Sequence, residues 1–406
     1  MVSFEEARTI ILECVQPVGI ERVHLLEAAG RVLAEDLEAP WDLPLWNNSA
    51  MDGYAVRWQD CTNTPCRLRV TGFLPAGSKA DGITVEAGCA VRIMTGAPTP
   101  DGCDAVVPVE DTDDGRQEVT LQEPVTKKQH IRFSAEDVAA GVIFAKSGTC
   151  IRPPEVNMLA GFGMALVPVY RRPVVAILST GDELVELGCT PGPGEIINSN
   201  TLSLAAAVQE VGCIPRIIGI ARDNRASHLE KLSEGLKADV LITSAGVSAG
   251  DCDLVRDILE ELGAQQMFWK VAIKPGGPTA FAMYGTTPVF SLPGNPVSTM
   301  ITFEEFVRPA LLRMQGYQHV IKPLFRAVLR DPINKKPGKV QIVRLRLDKE
   351  GGCWYATSSG NQQTAILKTM VDARAIAVLP GESSSFAVGD EVDVHFYGNH
   401  IELELP

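Results

Sequence analysis

From Pro173 to Met314 the chain alternates apolar runs of strand length with segments of helical period, and this alternation restricts the fold more than any other property of the sequence. Val174–Leu178, Ile214–Ile220 and Asp239–Thr243 read as buried strands, and Thr201–Val211, Ser227–Leu236 and Asp253–Leu262 read as helices. Further strands are expected near Phe268–Ile273, Phe281–Tyr284 and Val289–Leu292, followed by a helix over Pro296–Met314. Such a pattern implies a mostly parallel sheet covered by helices, with ligands bound outside the carboxyl ends of the strands.

The chemically suggestive loops fall where that rule places a site. The run Leu241–Asp253, Leu-Ile-Thr-Ser-Ala-Gly-Val-Ser-Ala-Gly-Asp-Cys-Asp, passes from a strand through a loop with Ser244, Gly246, Ser248 and Gly250 into a helix start. Glycine lets the backbone approach a phosphate, and the unpaired N–H groups of a first helical turn point at it. Asp251 and Asp253 in the same turn would repel that phosphate unless a cation joined them, which suggests Mg²⁺ with a phosphorylated ligand. Cys252 between them reads as a structural thiol, because flanking carboxylates disfavour a thiolate. Ser179-Thr180-Gly181-Asp182-Glu183, Arg222-Asp223-Asn224, Lys274-Pro275-Gly276-Gly277-Pro278 and Leu292-Pro293-Gly294-Asn295-Pro296 follow other strands. Lys270 and Lys274, four apart, would share one face of a strand, where two ammonium groups call for an anion.

The rest of the chain has a different texture. Residues 1–46 carry two helical patterns, one opened by a Ser3/Glu6 capping box and one from His24 to Leu37, and end in the stiff run Pro40-Trp41-Asp42-Leu43-Pro44. Residues 141–172 look like a return to that region, with Arg152-Pro153-Pro154 and a small helix. Residues 47–140 are β-rich, with strands such as Arg67–Thr71 and Ala90–Met94, and residues 321–406 are β again, with a hairpin at Lys349-Glu350-Gly351-Gly352. The expected fold is multidomain α/β plus β: a central three-layer α/β domain (173–320) with a mostly parallel sheet, flanked by two β-rich domains (47–140 and 321–406), with a small mixed N-terminal and linker region (1–46 plus 141–172).

Charge and cysteine usage narrow the function. A net charge of −13 argues against a nucleic-acid partner, and it means that an anionic ligand must be held by a local cluster of positive groups. No apolar stretch reaches the ~18 residues of a membrane span, so no membrane partner is expected. Met1-Val2-Ser3-Phe4-Glu5-Glu6 has no signal-peptide character, and ten cysteines without a C-x-x-C pair read as reduced thiols of a cytoplasmic protein. The six histidines show no pairing that would suggest a hydrolase triad.

Asn48-Ser49-Ala50-Met51-Asp52-Gly53-Tyr54-Ala55, Met94-Thr95-Gly96-Ala97-Pro98, Gly181-Asp182-Glu183-Leu184, the 244–253 loop and Leu292-Pro293-Gly294-Asn295-Pro296-Val297-Ser298 together resemble the signature set of the molybdopterin molybdenumtransferase (MoeA) family, also found as the C-terminal part of gephyrin. The resemblance covers essentially the whole chain. It implies the last step of molybdenum cofactor synthesis: cleavage of adenylyl-molybdopterin to release AMP, with molybdate placed on the dithiolene sulfurs and Mg²⁺ assisting. It also implies a homodimer with the site between subunits, and as further partners the molybdopterin adenylyltransferase and apo-molybdoenzymes. By this resemblance Asp52, Thr95, Glu183, Asp223 and Asp253 are catalytic, with Glu183, Asp223 and Asp253 as metal ligands. Asp137, Lys270, Lys274, Pro293, Pro296, Arg344 and Thr364 join Ser244, Gly246, Ser248 and Gly250 in binding substrate. The chain departs from the family pattern at Gly277, where a second lysine is usual, at Ala365, where the turn after Thr364 usually has glycine, and mildly at Asp251. Two other readings follow: a catalytically weakened paralogue acting as a dimeric scaffold, and a molybdopterin adenylyltransferase.

Overall fold

A computed structural model describes residues 1–245 and 254–399. The chain forms two compact units, one of Met1–Ala34, Gly148–Ile151 and Val167–Pro406, the other of Glu35–Ser147 and Arg152–Leu166.

The first unit contains a six-stranded sheet in the order Ile214–Ala221, Val174–Thr180, Val240–Ser244, Thr287–Leu292, Ala280–Tyr284, Gln265–Phe268. The first four strands run parallel, and the last two are antiparallel to their neighbours. Side chains alternate across it, as a strand buried on both faces requires. Val175, Ile177, Val240 and Ile242 face Leu204, Val208, Ile301 and Phe306. Ala176, Leu178 and Leu241 face Leu232, Leu236, Val255 and Ile258 on the other side. Helices therefore cover both faces, giving the three expected layers.

A barrel follows. Val340–Glu350 pairs with Cys353–Ser358, which pairs with Phe325–Leu329, then Glu391–Phe396 and Ala375–Leu379, and the last returns to Val340–Glu350. Val343, Leu345 and Leu347 fill it with Ala327, Ala377 and Val394. Ile342 and Ile376 project the other way and join the core of the α/β layer. Buried Glu305 ties three elements of this unit, accepting from Arg8 of the first helix and pairing with His395 Nε2 of the barrel at 3.0 Å.

The second unit is built on a five-stranded sheet in the order Ala105–Pro108, Gly53–Val56, Cys89–Ile93, Cys66–Leu74, Glu118–Leu121. The Pro40–Pro44 run lies inside this unit, where Leu43 bridges Val138 and the Asp42 carboxylate accepts from Ser134 Oγ and the Ala140 N–H. It is thus held by its own unit along its length.

Local expectations fail where long-range pairing overrides propensity. The Ser3/Glu6 capping box opens the helix Phe4–Cys14, but His24–Leu37 forms only a 3₁₀ turn, Leu25–Ala28, before Val32 and Leu33 are drawn into bridges with Cys150 and Val169. The expected single helix Pro296–Met314 is Pro296–Thr302 and Arg308–Met314 joined by a π turn, Phe303–Val307, just ahead of Pro309, whose missing N–H cannot continue a regular ladder.

Candidate functional site

Parallel register brings the loops after Thr180, Ala221, Ser244 and Leu292 to one edge of the six-stranded sheet. The turn 274–278 reaches the same edge, because it precedes the antiparallel strand whose Ala280 pairs with Ser291. Asn200, at the start of the helix Ser199–Glu210, links these loops: its Nδ2 donates to Ser244 Oγ and to the Gly294 carbonyl, both at 2.8 Å. Ala245 N–H donates to the Leu292 carbonyl, and Thr299 Oγ1 to the Pro293 carbonyl. Ser244, Pro293 and Pro296 are thereby assembled. Ala245 adopts φ 74°, a left-handed conformation that costs an alanine about 1 kcal/mol and signals a backbone held by its surroundings. Asn200 Oδ1 and Thr243 Oγ1 at this edge are buried without a hydrogen-bond partner among the described residues.

Acidic groups gather beside them. Asp182 N–H donates to Asp223 Oδ2 at 3.3 Å, and Asp223 N–H donates back to Asp182 Oδ1 at 3.1 Å. Arg222 clamps the same loop by donating to the carbonyls of Gly181, Asp182 and Leu184. Gly181, at φ 139°, leaves the space into which the Glu183 carboxylate folds, since a Cβ there would meet it. Glu183 and Asp223 are exposed, so the donors are hard oxygens open to solvent. Mg²⁺ keeps several waters and takes one or two carboxylates plus phosphate oxygens, so this open set fits it. Among the described residues no three His, Cys, Asp or Glu groups converge as a closed metal cage. Gly246, Ser248, Gly250, Asp251 and Asp253 lie outside the described residues.

The two lysines are arranged differently from the sequence expectation. Only Ile273–Lys274 is strand; Lys270 precedes it on irregular backbone. The cause is a long-range contact: Val271 bridges Val2 of the N-terminus, and its N–H donates to the Gly277 carbonyl, bending the chain away from the sheet. Both lysines are exposed. The shared-face argument therefore fails.

Arg344 is fully buried on the outer face of the barrel, while Arg346, two residues on, is exposed. Its Nε donates to Thr369 Oγ1 at 3.0 Å, and Nη2 to the carbonyls of Asn361 and Gln363 at 3.4 Å. Nη1 is buried and has no partner among the described residues. Burial pushes the guanidinium pKa below its ordinary value. The Gly360–Thr364 turn thus wraps the arginine, with Thr364 half-buried on it.

In the second unit, Gly53 pairs with Ile93, so Asp52 and the turn Met94–Ala97 emerge at one end of the sheet. Asp52 Oδ1 accepts from Thr95 Oγ1 at 2.6 Å and from Thr95 N–H at 2.7 Å. These bonds, with the nearby Arg92 charge, hold the Asp52 carboxyl below the usual carboxylate range, so it stays ionised. Asp137 is exposed, and its N–H donates to the Leu43 carbonyl. Gly53 must be glycine for a packing reason: a Cβ would collide with the Val107 carbonyl of the neighbouring strand. Gly53→Ala is expected to destabilise the protein by about 1–3 kcal/mol. A urea midpoint equal to wild type would mean that the strands part without cost.

Asn200, Arg222, Asp182 and Thr369 were not singled out from sequence as site residues. Asp182 and Arg222 lie in strand-end loops, but their partners are distant in sequence, and nothing local marks Asn200 or Thr369.

Comparison with known proteins is consistent along the chain. The MoeA N-terminal region (domains I and II) matches residues 2–163, a probable molybdopterin binding domain matches 176–313, and the MoeA C-terminal region (domain IV) matches 326–397. A Mycobacterium tuberculosis protein named molybdopterin molybdenumtransferase 2 is 37% identical over 404 residues, covering 97% of this chain and 99% of its own. A Haemophilus influenzae molybdopterin molybdenumtransferase is 36% identical over 409 residues, covering 99% and 100%. The crystal structure of a molybdopterin biosynthesis MoeA protein from Pyrococcus horikoshii is 30% identical, with a TM-score of 0.83 over 98% of this chain and 100% of that one.

Proposed function

Because the chain belongs to the MoeA family of molybdopterin molybdenumtransferases and so to molybdenum cofactor biosynthesis, we propose that it inserts molybdate into adenylyl-molybdopterin, with Mg²⁺ and with release of AMP, as a homodimer. The observation that carries this reading is the convergence of Glu183, Asp223, Ser244, Pro293 and Pro296 at the carboxyl edge of one sheet, where Asn200 ties Ser244 to the 293–296 turn. The full-length likeness to transferases, which extends well beyond the α/β domain, disfavours both the adenylyltransferase and the scaffold readings.

Phosphoanhydride cleavage needs charge neutralisation and in-line positioning more than a covalent nucleophile. In this proposal Glu183, Asp223 and Asp253 hold Mg²⁺, which would neutralise charge building on the phosphate oxygens. Ser244, with Gly246, Ser248 and Gly250, cradles the phosphate. Asn200 and Arg222 keep these loops in place through the bonds described above. Lys270, Lys274 and Arg344, with Thr364 beside it, hold the oxyanion. Asp52, oriented by Thr95, and Asp137 act from the second unit, contributed by a partner subunit. The cytoplasm is the proposed setting, in keeping with nine free thiols among the described residues. No helix among those residues is long and apolar enough to cross a membrane.

The test is incubation with adenylyl-molybdopterin, Mg²⁺ and either molybdate or tungstate, followed by AMP and metal analysis. Absence of oxyanion-dependent AMP release and of metal incorporation would refute the proposal.

Gly277 provides a graded test. Its backbone is not left-handed, and an added Cβ would come no closer than 3.3 Å to the Ile273 carbonyl, so a side chain is tolerated with a small adjustment. An added ammonium beside the oxyanion should contribute ~1.5–3 kcal/mol. Gly277→Lys is therefore expected to lower half-saturating molybdate about tenfold or more. An unchanged or weaker response would show that another group already fills this role.

A further inference from the structure

We propose that Cys61 and Cys66 form a redox-modification site, a dithiol that a low-molecular-weight disulfide converts to an internal disulfide and that small thiols reopen. Both cysteines belong to the second unit, and the inference stands apart from the transferase reading. Chain geometry brings the thiols together. Cys61 closes the 3₁₀ turn Trp58–Cys61, and Cys66 opens the strand Cys66–Leu74. One returning segment pins both: Cys66 pairs with Leu121, and the Cys61 carbonyl accepts from the Val125 N–H at 3.1 Å. The two side chains therefore pack in one core cluster with Leu68, Val119, Leu121 and Val125, where the thiols lie in hydrogen-bonding contact.

The turn that carries Cys61 is itself tethered. Trp58 N–H donates to Asp104 Oδ1 at 2.6 Å, and the Asp60 carboxylate accepts from the Gly88 N–H at 3.0 Å. Most of the entropy cost of bringing the two sulfurs together therefore falls on folding and not on oxidation. The other thiols have different neighbours. Cys103 donates to the Ala105 carbonyl at 3.3 Å, Cys213 accepts from Gln315 Nε2 at 3.2 Å, and Arg69 Nη2 reaches Cys89 Sγ at 3.7 Å. Contact between one thiol and another is what sets Cys61 and Cys66 apart.

The two cysteines have unequal roles. Cys61 has no exposed surface and Cys66 is half-buried, so a reagent from solvent meets Cys66. Burial pushes both thiols above their ordinary range, and the hydrogen bond from Cys61 offsets part of this at Cys66 while raising Cys61 further. Cys66 therefore loses its proton first and is the attacking sulfur. Its thiolate attacks one sulfur of the oxidant RSSR, forming a Cys66–SR mixed disulfide and releasing RS⁻. Cys61, deprotonated in turn, attacks Cys66 Sγ, forms the internal S–S bond and expels the second RS⁻. Two electrons pass to the oxidant, and the two protons lost by the cysteines end on two molecules of RSH.

Incubation of the folded full chain with reduced and oxidised glutathione, followed by acid quench, alkylation and tryptic mapping, tests this. Arg57 and Arg67 flank the pair, so the peptide Trp58–Arg67 carries both cysteines. That peptide is expected to lose two hydrogens and to carry no glutathione. It should do so at a glutathione disulfide concentration about tenfold or more below the one that half-modifies the exposed Cys189 and Cys353. Dithiothreitol should restore both thiols. Cys61→Ser should convert the product to a persistent mixed disulfide on Cys66, whereas Cys66→Ser should leave the buried Cys61 free of glutathione. A Trp58–Arg67 peptide that stays reduced while Cys189 and Cys353 are modified overturns the proposal. Stable glutathione on Cys66 of the wild type overturns it as well, because Cys61 would then not complete the exchange. Both decisive readings come from wild type, so they stand even where a variant fails to fold.

Discussion

Arg344→Met is expected to abolish molybdate-dependent AMP release while leaving thermal stability unchanged or higher. A guanidinium with no exposed surface and, among the described residues, no carboxylate partner and one unpartnered Nη1 is an expensive group to keep in a barrel wall. Its bonds to Thr369 and to the carbonyls of Asn361 and Gln363 offset part of that cost, and the lowered pKa shows that burial still dominates. Replacing a whole buried ionic group, leaving no charged partner behind, by apolar side chains of similar volume is often neutral or stabilising by roughly 1–4 kcal/mol, and Arg344 has no charged partner among the described residues to leave behind. A residue serving the fold alone would give the opposite result, a loss of several kcal/mol on substitution. The proposed oxyanion role requires the Gly360–Thr364 turn that covers Arg344 to admit a substrate anion to Nη1, and the same variant then loses binding. Paired measurements of melting temperature and AMP release decide it. Wild-type turnover, or a melting temperature lowered by more than a few degrees, would make Arg344 a structural residue.

Arg344 also illustrates what could be read from the chain. Its strand, the hairpin at 349–352 and the β texture around it are local patterns. Strand alternation places Arg344 opposite in direction to Val343 and Leu345, but not the cover provided by Gly360–Thr364 and Thr369. The strands Val174–Thr180 and Val240–Ser244 are legible to within two residues because both faces are buried, which leaves an uninterrupted apolar run, whereas the strand expected near Phe268–Ile273 ends at Phe268. Lys270 and Lys274 were misplaced for the converse reason. The segment between them answers to Val2, more than 250 residues away, and no local period encodes that bridge. His24–Leu37 likewise has helical spacing but surrenders it to bridges with Cys150 and Val169. The site follows the same division. Loops at strand ends could be named from sequence, whereas the side chains that fix them, Asn200 and Arg222, act across 44 to 94 and 38 to 41 residues respectively.

Two individually inactive variants are expected to restore one another. Asp52 and Thr95 belong to the second unit, and Glu183 and Asp223 to the first, with Asp253 on the loop that follows the Val240–Ser244 strand. Asp52→Ala removes the carboxylate that Thr95 orients. Asp253→Ala removes a proposed Mg²⁺ ligand beside the phosphate cradle, so each protein alone should release AMP at background level. In a C₂ dimer whose sites each take one unit from either chain, the mixed dimer holds one doubly damaged site and one intact site. Activity should then reappear at up to about half of wild type per mixed dimer. Differently tagged chains, co-purified through both tags after subunit exchange, isolate that species for assay. Mixed dimers that remain inactive would place Asp52 and Asp253 in the same site from the same chain, since one subunit would then carry each lesion and neither site would be whole.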